Sequence, residues 1–172
     1  MTGQMLDEAL GFVDVSVMND EPDRAPYRLH ASLLYQLTLT SRLQERRLEM
    51  GLRAHGLTRI TWCALLAVAN EGLTRPSEIA EFIGIDRTAM SRTLRQMEAA
   101  GLVDRQPAPG PDRRGTEVAL TPQGRDLLWR ATPVAEENAR HFLAKLPPDG
   151  AETLRRLLAE LRAGEPRNLV DF

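Results

Sequence analysis

The amino-acid sequence predicts a mainly α-helical protein with a small two-stranded β-sheet. Apolar residues recur at helical spacing along most of the 172-residue chain, which is the pattern of amphipathic helices. Two short strand candidates, residues 103–106 and 117–120, enclose a loop that begins Pro107-Ala-Pro-Gly-Pro111. Repeated prolines exclude a helix there. The predicted order is therefore a set of helices, a β-hairpin and further helices.

The composition is that of an ordinary soluble protein, with 27% charged and 42% apolar residues. No apolar run approaches the roughly 20 residues that span a bilayer, and the N-terminus lacks the pattern of a secretory signal. The single cysteine, Cys63, cannot form an internal disulfide. These features lead us to expect a cytoplasmic protein without a membrane partner.

The net charge of −2 is unevenly distributed along the chain. Residues 1–25 contain six acids and one base, which leaves 21 bases and 18 acids in the remainder. A modest overall charge can therefore hide a basic surface. Residues 1–25 also lack a clear hydrophobic period, and we expect them to form a flexible acidic arm.

The first long helix is expected to begin just after Pro26 and to end near His55, before Gly56. Leucines at helical spacing form its main apolar stripe, and others lie off that stripe. Such a helix is expected to pack against more than one partner. Thr58 is a suitable N-cap for a second helix, which should end near Gly72.

Two shorter helices follow in the order of a helix-turn-helix unit. Pro76 suits the first turn of a helix that ends at Gly84. Asp86 can cap the next helix, residues 87–100, which Gly101 terminates.

The hairpin is followed by two more helices. Thr121 and Pro122 suit the cap and first residue of a helix that ends near Leu146, and Pro133 within it predicts a kink or break. Pro147-Pro148 separates this helix from the last one. The apolar stripe of the last helix consists of Leu154, Leu157, Leu158 and Leu161.

The helix of residues 87–100 has a polar face suited to DNA. No acid occurs from Arg87 to Met97. Hydroxyl groups and guanidinium groups can donate to guanine edges and phosphates, whereas the alternative is an ordinary solvated face. The helix-turn-helix context favours DNA binding. The candidate DNA contacts of this helix are Arg87, Thr88, Ser91, Arg92 and Arg95.

Three motifs support a family resemblance: residues 76–84, residues 90–103, and Asp112-Arg113-Arg114-Gly115 followed by Leu-Thr-Pro-Gln-Gly at 120–124. The first two are shared by many winged-helix families, and the third is more specific. On these motifs, the stretch from about residue 57 to residue 127 resembles the MarR family, the multiple-antibiotic-resistance-type regulators. These are bacterial winged-helix transcription factors.

The resemblance implies a winged helix-turn-helix with N- and C-terminal dimerisation helices. It assigns DNA binding to residues 58–121, dimerisation to 26–57 and 122–164, the acidic arm to 1–25 and a tail to 165–172. The implied partner is double-stranded DNA, a palindromic operator whose successive major grooves receive the recognition helices of a homodimer. The implied function is a ligand-responsive transcriptional regulator, specifically a repressor.

In this family the loop of the β-hairpin is called the wing. The family pattern matches Asp112 and Arg114 to two wing residues with separate roles. It implies that Arg114 reaches the minor groove and that Asp112 helps to hold the wing arginine; Arg113 is a further candidate contact. An arginine at a loop tip can indeed enter a narrow, electronegative minor groove. The chain departs from the family in its longer acidic arm and its proline-rich wing.

The resemblance also implies a small-molecule effector such as an aromatic acid or its thioester. Tyr35 and Arg42 lie seven residues apart, on one stripe of the first helix, and could bind such a molecule together with Trp62. A contact at the subunit interface is the alternative role for these residues.

Cys63 could sense oxidants, but its position inside a helix favours a buried, unreactive thiol. The three histidines, His30, His55 and His141, lack metal-ligand spacing. No cofactor or metal is expected, and no catalytic motif points to an enzyme. The main alternative function is a winged-helix protein–protein interaction module that does not bind DNA.

Overall fold

The computed structural model describes residues 26–107 and 115–165, and the arm of residues 1–25 and the end of the tail lie outside them. These ranges contain six α-helices and a two-stranded sheet. The elements are α1 (Leu33–Leu52), α2 (Arg59–Asn70), α3 (Pro76–Ile83), α4 (Arg87–Ala99), β1 (Val103–Pro107), β2 (Thr116–Leu120), α5 (Pro122–Leu143) and α6 (Gly150–Leu161). The chain divides into two compact units between Gln36 and Leu37.

The first unit contains a short 3₁₀ turn, Leu29–Ala31, and the start of α1. The ring of His30 packs edge-on against Tyr35, with 5.2 Å between ring centroids. The prediction that the helix begins just after Pro26 is wrong. Ser32 has an extended backbone, and its carbonyl accepts the N–H of Gln36, so the α-helix begins only after Ser32.

The core of the second unit is formed by the end of α1, helix α2, the helix-turn-helix, the hairpin and α5. One face of each of these elements is buried. The largest fully buried side chains are Leu52, Leu57, Leu65, Ile79, Met90, Leu94, Met97, Val103 and Val118. This core fixes the orientation of α4 relative to the hairpin.

The predicted helix boundaries in this unit are confirmed where a local cap sets them. The Thr58 hydroxyl and the Thr61 side chain form a reciprocal capping box at the start of α2. Pro76 occupies the first turn of α3, and Gly84 ends that helix with a left-handed φ of 75°. Thr121 caps α5 by accepting the N–H of Gly124.

The two strands form an antiparallel hairpin in which Val103 lies opposite Leu120 and Pro107 opposite Thr116. Each strand is one residue longer than predicted. Pro107 is tolerated because it lies at the strand end, where a missing N–H costs little. The N–H of Val118 also donates to the carbonyl of Thr74, at 2.8 Å, which attaches the hairpin to the segment before α3.

Helix α5 is continuous through Pro133, so the predicted break is absent. The helix ends at Leu143 rather than near Leu146. In α6 no residue is buried, and Leu154, Leu157 and Leu161 are 38–53% exposed. None of the helices in the described ranges is long and apolar enough to cross a membrane.

Candidate nucleic-acid interface

Helix α4 is held firmly from behind and at its N-terminus. Met90, Leu94 and Met97 are buried on its inner face. The exposed carboxylate of Asp86 accepts the N–H groups of Thr88 at 2.7 Å and Ala89 at 3.0 Å. These hydrogen bonds lower the pKa of Asp86 below its ordinary value, and the bond from Ala89 has the largest effect. The outer face of α4 is therefore presented by a helix with a fixed start and a fixed rotation.

Four of the five predicted contacts on α4 are exposed: Arg87, Thr88, Arg92 and Arg95. Ser91 is half-buried. The backbone N–H of Thr88 donates to Asp86, so this residue is part of the cap. The Nε of Arg95 donates to the carbonyl of Ser91 at 3.3 Å, so this side chain folds back along the helix.

Arg87 and Arg92 form no ion pair with any carboxylate that the structure describes, in contrast to Arg105. Arg105 on β1 lies 3.4 Å from the carboxylate of Glu98, near the end of α4. The acid at the end of α4 is thus paired with a base, while the cations near its start remain available to a phosphate or a base edge.

Gln96 lies on the outer face of α4 and was missed by the sequence analysis. It is exposed, and at about 100° per residue it lies about 40° from Arg92 around the helix axis. Thr88, Ser91 and Arg95 all fall on the opposite side of Arg92, so a search along that polar stripe does not reach Gln96. The exposure of Gln96 and the burial of Met90, Leu94 and Met97 together show that Gln96 faces outward.

The end of α4 is attached tightly to the start of α5. The Thr121 hydroxyl donates to the carbonyl of Gly101 at 2.6 Å, and the Thr121 N–H donates to the carbonyl of Leu102. Gly124 approaches so closely that a Cβ there would lie 2.0 Å from the Leu102 carbonyl oxygen. A displacement of α5 would therefore also move the end of α4.

Three of the predicted wing residues, Asp112, Arg113 and Arg114, lie outside the described residues. The structure does describe both strands that carry the wing and the exposed Gly115 beside it. The attachment of this hairpin to the helix-turn-helix is therefore known, and the roles of the three wing residues stay predictions.

Trp62 does not line any of the three cavities described in this section, one of which Arg42 lines. Arg42 lines a small cavity of about 270 Å³ together with Glu45, Arg46, Glu49 and Arg59, and Trp62 is not among the lining residues. The Nε1 of Trp62 is buried and has no hydrogen-bond partner among the described residues. Tyr35 is half-buried in the first unit.

A larger cavity, about 730 Å³, lies between the end of α2 and the start of α5. Leu66, Leu128 and Trp129 give it an apolar wall, and Arg125 and Asn70 add polar groups. Trp129 is 80% exposed. A second cavity of similar volume lies between α1 and α5. There the buried Asn138 donates to the carbonyl of Gln44, while its Oδ1 has no partner among the described residues.

Cys63 is half-buried in α2. Burial raises the pKa of its thiol, and the neighbouring Arg59 opposes that shift only in part. The thiol is therefore protonated at neutral pH, the less reactive form. Within the described ranges, His, Cys, Asp and Glu form no group of three that could hold a metal ion.

Comparison with known proteins agrees with this arrangement of helices and hairpin. A model of the MarR family matches residues 55–115. An HTH-type transcriptional regulator of Bacillus subtilis, YdgJ, is 30% identical over 132 residues, which cover 77% of this chain and 78% of the relative.

Two solved structures share the fold. A mutant of Escherichia coli MarR complexed with operator DNA is 24% identical with a TM-score of 0.69, covering 75% of this chain and 92% of the other. BpsR of Bordetella bronchiseptica, whose DNA binding is regulated by 6-hydroxynicotinic acid, is 21% identical with a TM-score of 0.74, covering 82% and 100%. The family model, the YdgJ relative and the shared fold lead to one conclusion: this chain belongs to the MarR family of transcriptional regulators.

Proposed function

We propose that the protein is a homodimeric repressor that binds a palindromic operator and is released by a small ligand. The observation that carries this proposal is the outer face of α4. Arg92 is exposed there, Arg87 is exposed at the start of the helix, and neither has a carboxylate partner in the described part of the chain, while the inner face is locked into the core. A rigid helix with available cations is suited to the major groove.

Exposed apolar residues outside the helix-turn-helix support the dimer. Three of the four leucines of α6, Leu154, Leu157 and Leu161, are exposed, and only Leu48 and Leu52 of α1 are buried. We propose that these side chains form one apolar surface, which would be typical of a subunit interface. In a two-fold dimer the two α4 helices would meet half-sites about 10 bp apart, or a multiple of that spacing.

In this proposal the wing adds to operator binding by entering the minor groove. Arg114 enters an A·T-rich minor groove, whose narrow shape enhances the negative potential, and Asp112 holds the arginine. We expect Arg114→Ala to weaken operator binding more than Arg113→Ala, and we expect its effect to shrink when the flanking A·T pairs become G·C. Fluorescence anisotropy at fixed salt measures both effects, and tighter binding by Asp112→Ala would contradict the role of Asp112.

The cavity beside Trp129 is the effector site that we favour. Its volume of about 730 Å³ is in the range of small-molecule sites. The Trp129 ring can stack on an aromatic ligand, and the Arg125 guanidinium can bind a carboxylate. The tight contact between Gly124 and Leu102 would transmit a shift of α5 to α4. The regulation of BpsR by 6-hydroxynicotinic acid suggests an aromatic acid as the first ligand to test.

Two arginine variants distinguish this site from the one predicted around Tyr35, Arg42 and Trp62. Thermal shift and tryptophan fluorescence are measured with 6-hydroxynicotinic acid and other aromatic acids, including their thioesters. If Arg125→Ala loses the ligand-induced thermal shift and fluorescence change and Arg42→Ala keeps them, the cavity beside Trp129 is the effector site. The reverse result supports the earlier prediction.

DNA binding itself is tested with duplexes selected from a random library by the purified protein. A repressor of this kind should enrich a palindromic sequence and bind it with an affinity that falls steeply as salt rises, because phosphate contacts release counterions. A winged-helix module for protein partners would not bind duplex at all. Solution mass at the same concentrations should correspond to two chains.

A further inference from the structure

We infer that Gln96 reads an adenine in the major groove of each operator half-site and is a specificity-determining residue of this protein. The inference rests on the proposed function, because it requires that α4 enter the groove. It adds a base-specific contact that the polar stripe of Thr88, Ser91, Arg92 and Arg95 does not contain.

The position of Gln96 is the first reason. Leu94 marks the buried side of α4, and it lies about 200° from Arg92 around the helix axis. Arg92 therefore points almost directly away from the core. Gln96 lies about 40° to one side of Arg92 and Arg95 about 60° to the other. If Arg92 faces the floor of the groove, Gln96 faces it at least as directly as Arg95 does.

The state of the side chain is the second reason. Gln96 is exposed, and its amide makes no hydrogen bond with any residue that the structure describes. The Arg95 side chain, in contrast, bonds to the carbonyl of Ser91. Arg92 and Gln96 are thus available on the outer face without breaking an existing hydrogen bond.

The chemistry of the amide is the third reason. A glutamine amide has one acceptor and two donors, and this fork matches the N6 donor and N7 acceptor of adenine. A neutral amide gains little from a phosphate, which is better bound by an arginine. Arg92 has the complementary fork for the O6 and N7 acceptors of guanine.

The spacing of the two residues predicts the spacing of the two bases. Four residues of α-helix rise about 6 Å, which is close to two base-pair steps of about 3.4 Å. We therefore expect the adenine read by Gln96 about two base pairs from the guanine read by Arg92. Because the dimer is symmetric in the proposed function, the pair should occur once in each half-site.

Selection from a random duplex library tests the inference on the full-length protein. Wild type, Gln96→Ala, Arg92→Ala and the control Gln123→Ala, an exposed glutamine of α5, are each used to enrich the library, and the products are sequenced. We expect Gln96→Ala to lose the preference for adenine at one position of each half-site. Arg92→Ala should lose the guanine instead, and the control should match wild type.

The outcomes separate the two proposals. If wild type enriches no sequence, the proposed function fails. If wild type enriches an operator and Gln96→Ala enriches the same one unchanged, DNA binding stands and the role of Gln96 is wrong. On the best operator, loss of a bidentate contact should weaken Gln96→Ala by about 5- to 150-fold.

A change on the DNA side tests the same contact without altering the protein. Replacing the assigned adenine by 7-deazaadenine removes the N7 acceptor and keeps base pairing. Wild type should lose about 2- to 12-fold in affinity, the worth of one neutral hydrogen bond, while Gln96→Ala should be insensitive. Equal losses for both proteins, or no loss for wild type, would mean that Gln96 contacts something other than adenine.

Discussion

The helix-turn-helix and the last helix use leucine in opposite ways. In α4, Leu94 and both methionines are buried within the chain, so this region satisfies its apolar face by itself. In α6 no residue is buried, although its leucines lie on one stripe. The helix-turn-helix therefore buries its apolar face within one chain, whereas most of the α6 stripe stays uncovered by the residues that the structure describes. The proposed dimer covers that stripe with a second chain.

The largest expected effect on stability comes from truncating a buried leucine, and an exposed leucine of α6 serves as the comparison. Leu94→Ala should lower the free energy of unfolding by about 2–5 kcal/mol, because it leaves a cavity in a packed core. Leu157→Ala removes the same atoms from an exposed site and should instead raise the dimer dissociation constant. Denaturation at two protein concentrations, together with light scattering, measures both. A concentration-independent loss of several kcal/mol in Leu157→Ala would mean that α6 is packed within its own chain.

A pair of glycine variants probes the junction between α4 and α5. In Gly124→Ala the new Cβ meets the backbone carbonyl of Leu102 at 2.0 Å, and backbone cannot move aside cheaply. We expect a loss of about 1–3 kcal/mol of stability, typical of overpacking. Gly51→Ala meets only the Val134 side chain, at 2.4 Å, and should cost less in thermal denaturation. A larger cost for Gly51→Ala would contradict this account of the junction.

The cap of α4 gives a smaller, pH-dependent effect. Hydrogen bonds hold the pKa of Asp86 below its ordinary value of 3.8. Its contribution to stability is therefore complete above that value and is lost as the pH falls through the lower folded-state pKa. Asp86→Ala should lower the melting temperature at pH 7 and should reduce the acid sensitivity of unfolding.

Asp86→Asn is the matched control, because the amide oxygen can still accept from the N–H groups of Thr88 and Ala89. It should keep most of the melting temperature at pH 7. If Asp86→Ala melts as wild type does across the acid range, the carboxylate does not stabilise the start of α4.

Substitution of Cys63 should have the smallest effect, because we expect its thiol to be unreactive and to play no part in DNA binding. Because burial raises the pKa of its thiol, alkylation by iodoacetamide should be slow at neutral pH and should accelerate only as the pH rises toward that raised pKa. Cys63→Ser should bind DNA as wild type does, with or without peroxide. Rapid alkylation at pH 7, or loss of DNA binding in peroxide that Cys63→Ser prevents, would identify an oxidant-sensing thiol.

Sequence reasoning succeeded where the determining interaction is local. Thr58, Asp86 and Thr121 cap their helices as predicted, because a cap depends on a few adjacent residues. The same holds for Gly84, whose positive φ ends α3. The inner face of α4 was also predictable, since helical spacing alone assigns its apolar residues to one side.

The remaining features depend on tertiary packing. The continuity of α5 through Pro133 and the cavity beside Trp129 involve neighbours distant in sequence. Gln96 was missed because the predicted contacts follow the polar stripe on one side of Arg92 only, and the exposure of Gln96 in the structure shows that it also faces outward. The extended conformation of Ser32, which delays the start of α1, carries no strong signal in the local sequence.

The central claim is that the outer face of α4 binds the operator, and one matched pair of arginine variants tests it directly. Arg92→Ala and Arg156→Ala remove the same charge, but Arg156 lies on α6, where it pairs with Glu160. The dissociation constant for the selected operator is measured by anisotropy at several salt concentrations. The account predicts a loss of about 1–3 kcal/mol of binding for Arg92→Ala and no change for Arg156→Ala. Equal affinities for Arg92→Ala and wild type would contradict it.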